Sequence, residues 1–527
     1  SLWFVHLVLQ IESNGHSLSF GRFDQFLYPY YKKSAEEGMP QEEALELLEN
    51  LWLKTLTINK IRSWGHTRFA AGSPMYQNLT IGGQTSDGKS AVNELTRLTL
   101  ISIGRTRLPQ PNLTVRYFAG LEEDFMQDCI RMIRLGFGMP AFNNDEIIIP
   151  ALIEQGVARE DAVNYSAIGC VEVGVPGKWG YRCTGMSYLN FPKTLMIAFN
   201  DGVDVTTGKR VAKGVGKFTD MQSFEEVFAA WDNTARQLIR QGIILDNCAD
   251  MVIEQEVPDV LCSALVDDCI GRGKHLKEGG AVYDIVSQLQ VGVANLGDSL
   301  AAIKKCVFED RSLTREELWD ALMHDFAGER GEEIRQMLLN VPKYGNDDDT
   351  ADDIATRLFT DIADLTVAAG KAAGLDHYNI VSVNNSMSAE WGNFCAASAC
   401  GRKAGSPMAN ANGASIGADK CGITALLNSM SKFDNTKHVG VINNVRFTKE
   451  LFKGSMDKVE AVLKAFYDND GVQTNLCVIG KDDLENAMVH PENYQNLLVR
   501  IGGFSARFVT LNPIVQREII ERTTYGA

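Results

Sequence analysis

Residues 169–183 read GCVEVGVPGKWGYRC and place a thiol, Cys170, two positions from a carboxylate, Glu172. In an extended backbone, residues i and i+2 point to the same side. The two side chains would then share a cavity while Val171 faces its wall, and the nearby glycines would let other loops come close. A nucleophilic cysteine needs a base to form its thiolate. None of the eight histidines lies near Cys170 in sequence, and a carboxylate neighbour raises a thiol's pKa. Polar thiolate chemistry therefore fits poorly, and homolytic chemistry fits better. The bland alternative is a cysteine acting as a small buried hydrophobe.

Two further stretches could do chemistry. GQTSDGKS, residues 83–90, matches the phosphate-binding pattern G-x-x-x-x-G-K-[ST] between a strand-like NLTI and a helical AVNELTRLTLI. That pattern works by cradling phosphate with backbone N–H groups and the lysine at a helix N-terminus. Asp87 would put a carboxylate inside the cradle, and no convincing second aspartate ends a strand, since GIILD (242–246) follows directly on a helix. The stretch is therefore read as a turn followed by an N-capped helix, with a nucleotide-hydrolysing enzyme as the discarded rival. Near the other end stands VRIGGFSARFVTL, residues 499–511. Its Gly-Gly pair between strand-like flanks reads locally as a tight turn or a close backbone approach.

The elements that must position these residues form an α/β pattern. Helical periodicity runs through residues 40–62, with Leu45, Leu48, Trp52 and Leu56 on one face. Further helices are expected over residues 121–135, 223–240 and 352–369, and from Thr314, where T-R-E-E gives a capping box to Glu317. Short β-branched runs lie between them: NLTVRYF, NIVSVN, VGVINNVRF, TNLCVIG and RFVTL. Helices alternating with such strands imply a substantial parallel component. Residues 401–422 read as a long, functional loop feeding a helix.

With 527 residues, 45% hydrophobic and 22% charged, the chain has a soluble globular profile. Its net charge of −16 argues against a nucleic-acid surface, and no apolar run reaches membrane-span length. The eleven cysteines include no C-x-x-C pair and no accompanying histidine tract, so reduced cytosolic thiols are expected, with no metal site. The N-terminal SLWFVHLVLQIES reads as a helix cut partway along, as in an incomplete chain.

Taken together, the cysteine and glycine segments resemble the glycyl radical enzymes. The family's C-terminal signature R-V-[SA]-G-Y-x-x-R-F falls on Arg500 to Phe508, with Gly502 in place of Ser/Ala and Phe504 in place of Tyr. The dehydratase and decarboxylase branches carry G-C-V-E, found here at Gly169 to Glu172. Val171 excludes the subtype with adjacent cysteines. NGHSLSFGRFDQFLYPYYKK (14–33), LPQPNLTVRY (108–117) and GRKAGSPM…GADKCGITALLNSMSK are also similar to family segments. The last departs from the family in its Asn-rich middle. The likeness covers essentially the whole chain, which would be the C-terminal two-thirds of a longer member.

The resemblance implies a ten-stranded α/β barrel, with helices outside and two loops meeting at its centre. The barrel domain with its cysteine loop would run to about residue 390, and a glycine radical domain from about 391 to 527. It implies a storable radical on Gly503, installed by a separate radical-SAM activating enzyme carrying an iron–sulfur cluster and S-adenosylmethionine. Cys170 would be the thiyl and Glu172 the acid–base group, with no bound cofactor or metal. The segment after the cysteine motif is most similar to trans-4-hydroxy-L-proline dehydratases, which form 1-pyrroline-5-carboxylate. Alternatives are lyases acting on glycerol, propanediol, choline or isethionate, an arylacetate decarboxylase, or an inactive structural subunit. A homodimer in the cytoplasm of an anaerobe is expected, without nucleic-acid or membrane partners.

Overall fold

A computed structural model describes all residues except 14–17, 61–62, 65–66, 68–74, 376–377, 383–386, 439, 455 and 527, and leaves the side chains of 13, 181–186 and 380 undescribed. The GHS portion of the segment 14–33 thus lies outside the described residues, as do the ends of the runs 40–62 and 379–384.

In chain order the strands are β1 (Asn78–Gly82), β2 (Asn112–Tyr117), β3 (Ala141–Asn144), β4 (Ser166–Ile168), β5 (Glu172–Gly174), β6 (Trp179–Asn190), β7 (Tyr283–Val291), β8 (Tyr378–Val381), β9 (Asn444–Phe447), β10 (Gln473–Val478), β11 (Leu498–Arg500) and β12 (Ser505–Arg507). They form a five-stranded sheet in the order β1-β2-β3-β10-β9, a three-stranded sheet β6-β7-β8, and two hairpins, β4-β5 and β11-β12. The five-stranded sheet is parallel except where β10 meets β3.

Chain contacts divide the molecule into two compact units. The first comprises Ser1–Arg182, Asp250–Ile285 and His438–Ala527, and contains the five-stranded sheet and both hairpins. The second comprises Cys183–Ala249 and Val286–Lys437. There β7 pairs in parallel with β8, from Val286 opposite Tyr378 to Leu289 opposite Val381.

Strands β1, β2, β3, β9 and β10 alternate apolar and polar residues. Register puts Leu79, Ile81, Leu113, Val115, Phe142, Leu476 and Val445 on one face. Asn78, Thr80, Asn112, Thr114, Arg116, Asn143, Gln473, Asn475, Asn444 and Arg446 occupy the other. Such alternation ordinarily marks a sheet with one wet face. Here all but Asn444 of these polar residues are buried, and Asn444 is half-buried.

Helix boundaries follow local chemistry. Gln41–Thr55 buries Leu45, Leu48 and Trp52, as the periodicity requires. Thr314 and Glu317 form the expected capping box for Arg315–Met323. Phe224–Glu256 runs further than the periodicity suggests and absorbs GIILD. Its Gly242 accommodates Gln288, whose Nε2 would lie 2.1 Å from a Cβ there. RFVTL, expected as a strand, is strand only through Arg507 and continues as a 3-10 turn, Phe508–Thr510. The Phe508 N–H donates to Leu497 O at 2.8 Å, which closes the hairpin. No helix among the described residues is long and apolar enough to cross a membrane.

Candidate active site

The phosphate-loop look-alike does not build a cradle. Residues 83–90 fold back on themselves: Thr85 N–H donates to Lys89 O at 2.8 Å, and Gln84 bridges Ser90. Lys89 points to Asp87 at 2.7 Å on the exposed surface. The next helix, Glu94–Thr106, begins only after Asn93 caps it in a capping box. A phosphate loop instead runs directly into its helix N-terminus.

Cys170 lies at the tip of the β4-β5 hairpin, not in an extended run. Ile168 pairs with Glu172, and the Val171 N–H donates to Ile168 O at 3.0 Å. The turn is made with φ +57° at Gly169 and +115° at Val171. The second value is a genuine outlier for a β-branched residue, of the kind that clusters at functional sites. Glu172 still meets the cysteine, because the Cys170 N–H donates to Glu172 Oε2 at 2.6 Å. The expected alternation is thus replaced by a turn that brings carboxylate and thiol segment together differently.

Gly503 lies at the tip of the other hairpin. Arg500 pairs with Ser505, and Ile501 N–H donates to Phe504 O at 3.0 Å across Gly502 and Gly503. A Cβ on Gly503 would stand 1.6 Å from Cys170 O and 2.3 Å from Cys170 Cα. No side chain fits there. The two tips, roughly 330 residues apart in sequence, meet backbone to backbone. Gly440 similarly leaves room for Glu172, whose Cα would lie 2.8 Å from a Cβ at that position.

The polar face of the five-stranded sheet fastens both hairpins. On the cysteine side, Asn78 Nδ2 donates to Gly169 O, and Ala167 N–H donates to Thr80 Oγ1 at 3.0 Å. On the glycine side, Arg500 donates to Asn112 Oδ1 at 3.1 Å and Asn475 Oδ1 at 2.9 Å. Asn444 Nδ2 donates to Ile501 O at 3.3 Å. Phe504, where the family has Tyr, is fully buried and packs edge-on to Tyr76 at 5.1 Å. None of Asn78, Thr80, Asn112, Asn475 and Asn444 was singled out by motif. The signal was available in the polar half of the alternating strands.

Electrostatics favour a protonated thiol. Burial, then the Glu172 charge, push the Cys170 thiol well above its usual value, while the Arg500 cation draws it down. Burial raises the Glu172 carboxyl to about 7 against the pull of the amides at residues 170–172. Arg500 is lowered to about 10 by burial. The arrangement holds a buried S–H bond and a buried glycine α-carbon beside a half-buried, titrating carboxyl.

Sequence comparison agrees with this geometry. Residues 1–386 match the pyruvate formate lyase-like family and residues 408–509 the glycine radical family. The chain belongs to the glycyl radical enzymes. It is 44% identical over 543 residues to the probable dehydratase YbiW of Escherichia coli (strain K12), covering 99% of this chain and 67% of that protein. It is 33% identical to the trans-4-hydroxy-L-proline dehydratase of Clostridioides difficile, covering 99% and 66%. The glycerol-bound B12-independent glycerol dehydratase from Clostridium butyricum superposes with a TM-score of 0.95 at 36% identity, covering 100% of this chain and 66% of that one. The fold is accordingly the α/β fold of the glycyl radical enzymes. The chain spans about two thirds of the length of the curated relatives it matches.

Proposed function

We propose that this chain carries the catalytic centre of a glycyl radical lyase that eliminates water from a small hydroxylated substrate. The observation that carries the reading is the meeting of the two hairpin tips, where only glycine fits against Cys170. A glycine α-carbon radical is stabilised by its flanking amide and carbonyl. Gly503 stores the unpaired electron, placed there by a separate radical-SAM activating enzyme that removes one hydrogen atom. The Cys170 S–H bond then breaks homolytically, and its hydrogen atom refills the Gly503 α-carbon. The resulting sulfur radical takes a hydrogen atom from a substrate carbon, which loosens the adjacent C–O bond. The hydroxyl leaves as water with a proton that Glu172 relays, acting as base or as acid. The product radical finally recovers a hydrogen atom from Cys170. Atoms and electrons balance with no external oxidant.

A thiol in this role needs no base, so a pKa held high is an asset. Burial also keeps water away from the radical. Trans-4-hydroxy-L-proline is the first substrate to assay, with glycerol and 1,2-propanediol beside it. Among solved structures the proteins bearing these names stand at 31%, 36% and 35% identity, so similarity does not single out the first of them. The barrel segment to about residue 390, the glycine radical segment beyond it, a homodimer and the cytoplasm of an anaerobe belong to the same proposal.

The test is electron paramagnetic resonance on the anaerobically activated protein. A glycyl doublet is expected, absent in Gly503→Ala, together with water elimination rather than CO2 release. No doublet after competent activation would sink the proposal.

A further inference from the structure

We infer that Arg116 is a positioning residue of the Cys170 hairpin, an assignment that rests on the glycyl radical reading. Arg116 stands on β2 with no exposed side chain. Its Nε and Nη2 each donate to Asp145 at 2.7 Å, and its Nη1 donates to Val163 O at 2.8 Å and Tyr165 O at 3.2 Å. Tyr165 returns a bond to the same carboxylate at 2.8 Å through its hydroxyl, and its ring lies 4.1 Å from the guanidinium. Gly83, the first glycine of the phosphate-loop look-alike, has φ +78°, and a Cβ there would sit 2.6 Å from Arg116 Nε. That glycine admits a guanidinium, not a phosphate.

Removing two opposite charges from water is costly enough that well-packed apolar residues often stabilise a fold as well. What the pair supplies is geometry: planar, bidentate and fixed in direction. Its remaining donors take the carbonyls of Val163 and Tyr165, directly before β4. Strand β4 is only three residues long, so its own ladder defines the hairpin weakly. Arg116 therefore sets the base of the hairpin, while Asn78 and Thr80 hold its upper part, and together they fix the depth at which Cys170 meets Gly503.

The experiment compares the activated parent with Arg116→Lys and Gly83→Ala. Arg116→Lys keeps the charge and loses the fork; Gly83→Ala displaces the guanidinium. Transfer to D2O reads hydrogen passage between the tips without any substrate. Local opening exchanges the buried Cys170 S–H with D2O; deuterium then passes to Gly503, a protium returns to sulfur, and the doublet collapses to a singlet. Doublet amplitude should match the parent in both variants, while its collapse and kcat slow at least tenfold and KM stays within about twofold. Collapse and kcat at parental rates in the folded variants would overturn the assignment. So would a loss of kcat that only tracks the unfolded fraction seen by near-ultraviolet circular dichroism. If Arg116→Lys does not fold, Gly83→Ala decides alone. A parent that takes no doublet would overturn the radical reading, and this assignment with it.

Discussion

Burial and a neighbouring carboxylate keep the proton on Cys170, which suits the hydrogen-atom exchange proposed for it. Glu172 carries the opposite consequence. Its pKa of about 7 means that it changes charge across neutral pH. A pH profile of kcat/KM should show a limb with its midpoint near 7 that disappears in Glu172→Gln, with kcat reduced at least about 100-fold, as for a lost acid–base group. A rising limb assigns the base role and a falling one the acid role; an unchanged limb in the variant removes Glu172 from proton transfer. The same shift has a stability sign. The folded pKa is raised above the ordinary carboxyl value of about 4.5, so the folded state binds the proton more tightly. The associated stability is full below about pH 4.5 and is lost as pH rises through about 7. At about 1.4 kcal/mol per pKa unit the loss is at most about 3 kcal/mol, and less because Glu172 is only half-buried and solvent screens its charge. Calorimetry should accordingly find Glu172→Gln more thermostable than the parent at pH 8 and nearly equal at pH 4.5.

At the scale of elements, two hairpin tips are pinned to one sheet, and small changes there should move chemistry more than stability. In Gly440→Ala the new methyl would lie 2.8 Å from Glu172 Cα and 3.1 Å from its Cγ. It must push the carboxylate aside. A drop in kcat of about tenfold is expected with the glycyl doublet intact, since an ångström of misplacement can cost 10²-fold. Parental kcat in this variant would show that the carboxylate's position is not demanding. These elements also mark how far the sequence could be read. Cys170, Glu172 and Gly503 were legible as motifs, and most strands as β-branched runs. The cysteine turn was not, because extended geometry is the default reading of V-E-V, and only the loop's tertiary contacts hold Val171 at φ +115°. The buried polar face was hidden by its own regularity. Alternation in NLTVRY and QTNLCV suggests a face in water, and only the two hairpins laid across it make it an interior. The turn at residues 83–90 and its capped helix were read correctly, but not why Gly83 is there: its cause is Arg116, a residue 33 positions away on the neighbouring strand.

At the scale of the whole molecule, the radical proposed on Gly503 would expose the chain to oxygen. Oxygen adding to the Gly503 radical should cut the backbone there and leave a C-terminal piece of about 25 residues. The cut piece should not fall away. Arg446 donates to the carbonyls of Ile519, Ile520 and Arg522. Tyr525 N–H donates to Arg446 O at 2.8 Å, and Thr448 N–H to Tyr525 O at 2.8 Å. Val515 and Ile519 are buried, each contributing about 1.5–3 kcal/mol when taken from water, and each hydrogen bond adds about 1 kcal/mol. Together with Phe504, Phe508 and Leu511 of the same piece, which are also buried, those contributions outweigh the lower part of the roughly 4–15 kcal/mol of freedom that a released fragment gains. Air-exposed activated protein should therefore run as one species in native gel filtration and as two in denaturant, where mass spectrometry finds the small piece. Arg446→Ala, which removes the clamp on three carbonyls, should let it dissociate without denaturant. A small fragment shed from the parent under native conditions would mean that the C-terminal helix is held by chain continuity, and not by the contacts that surround it.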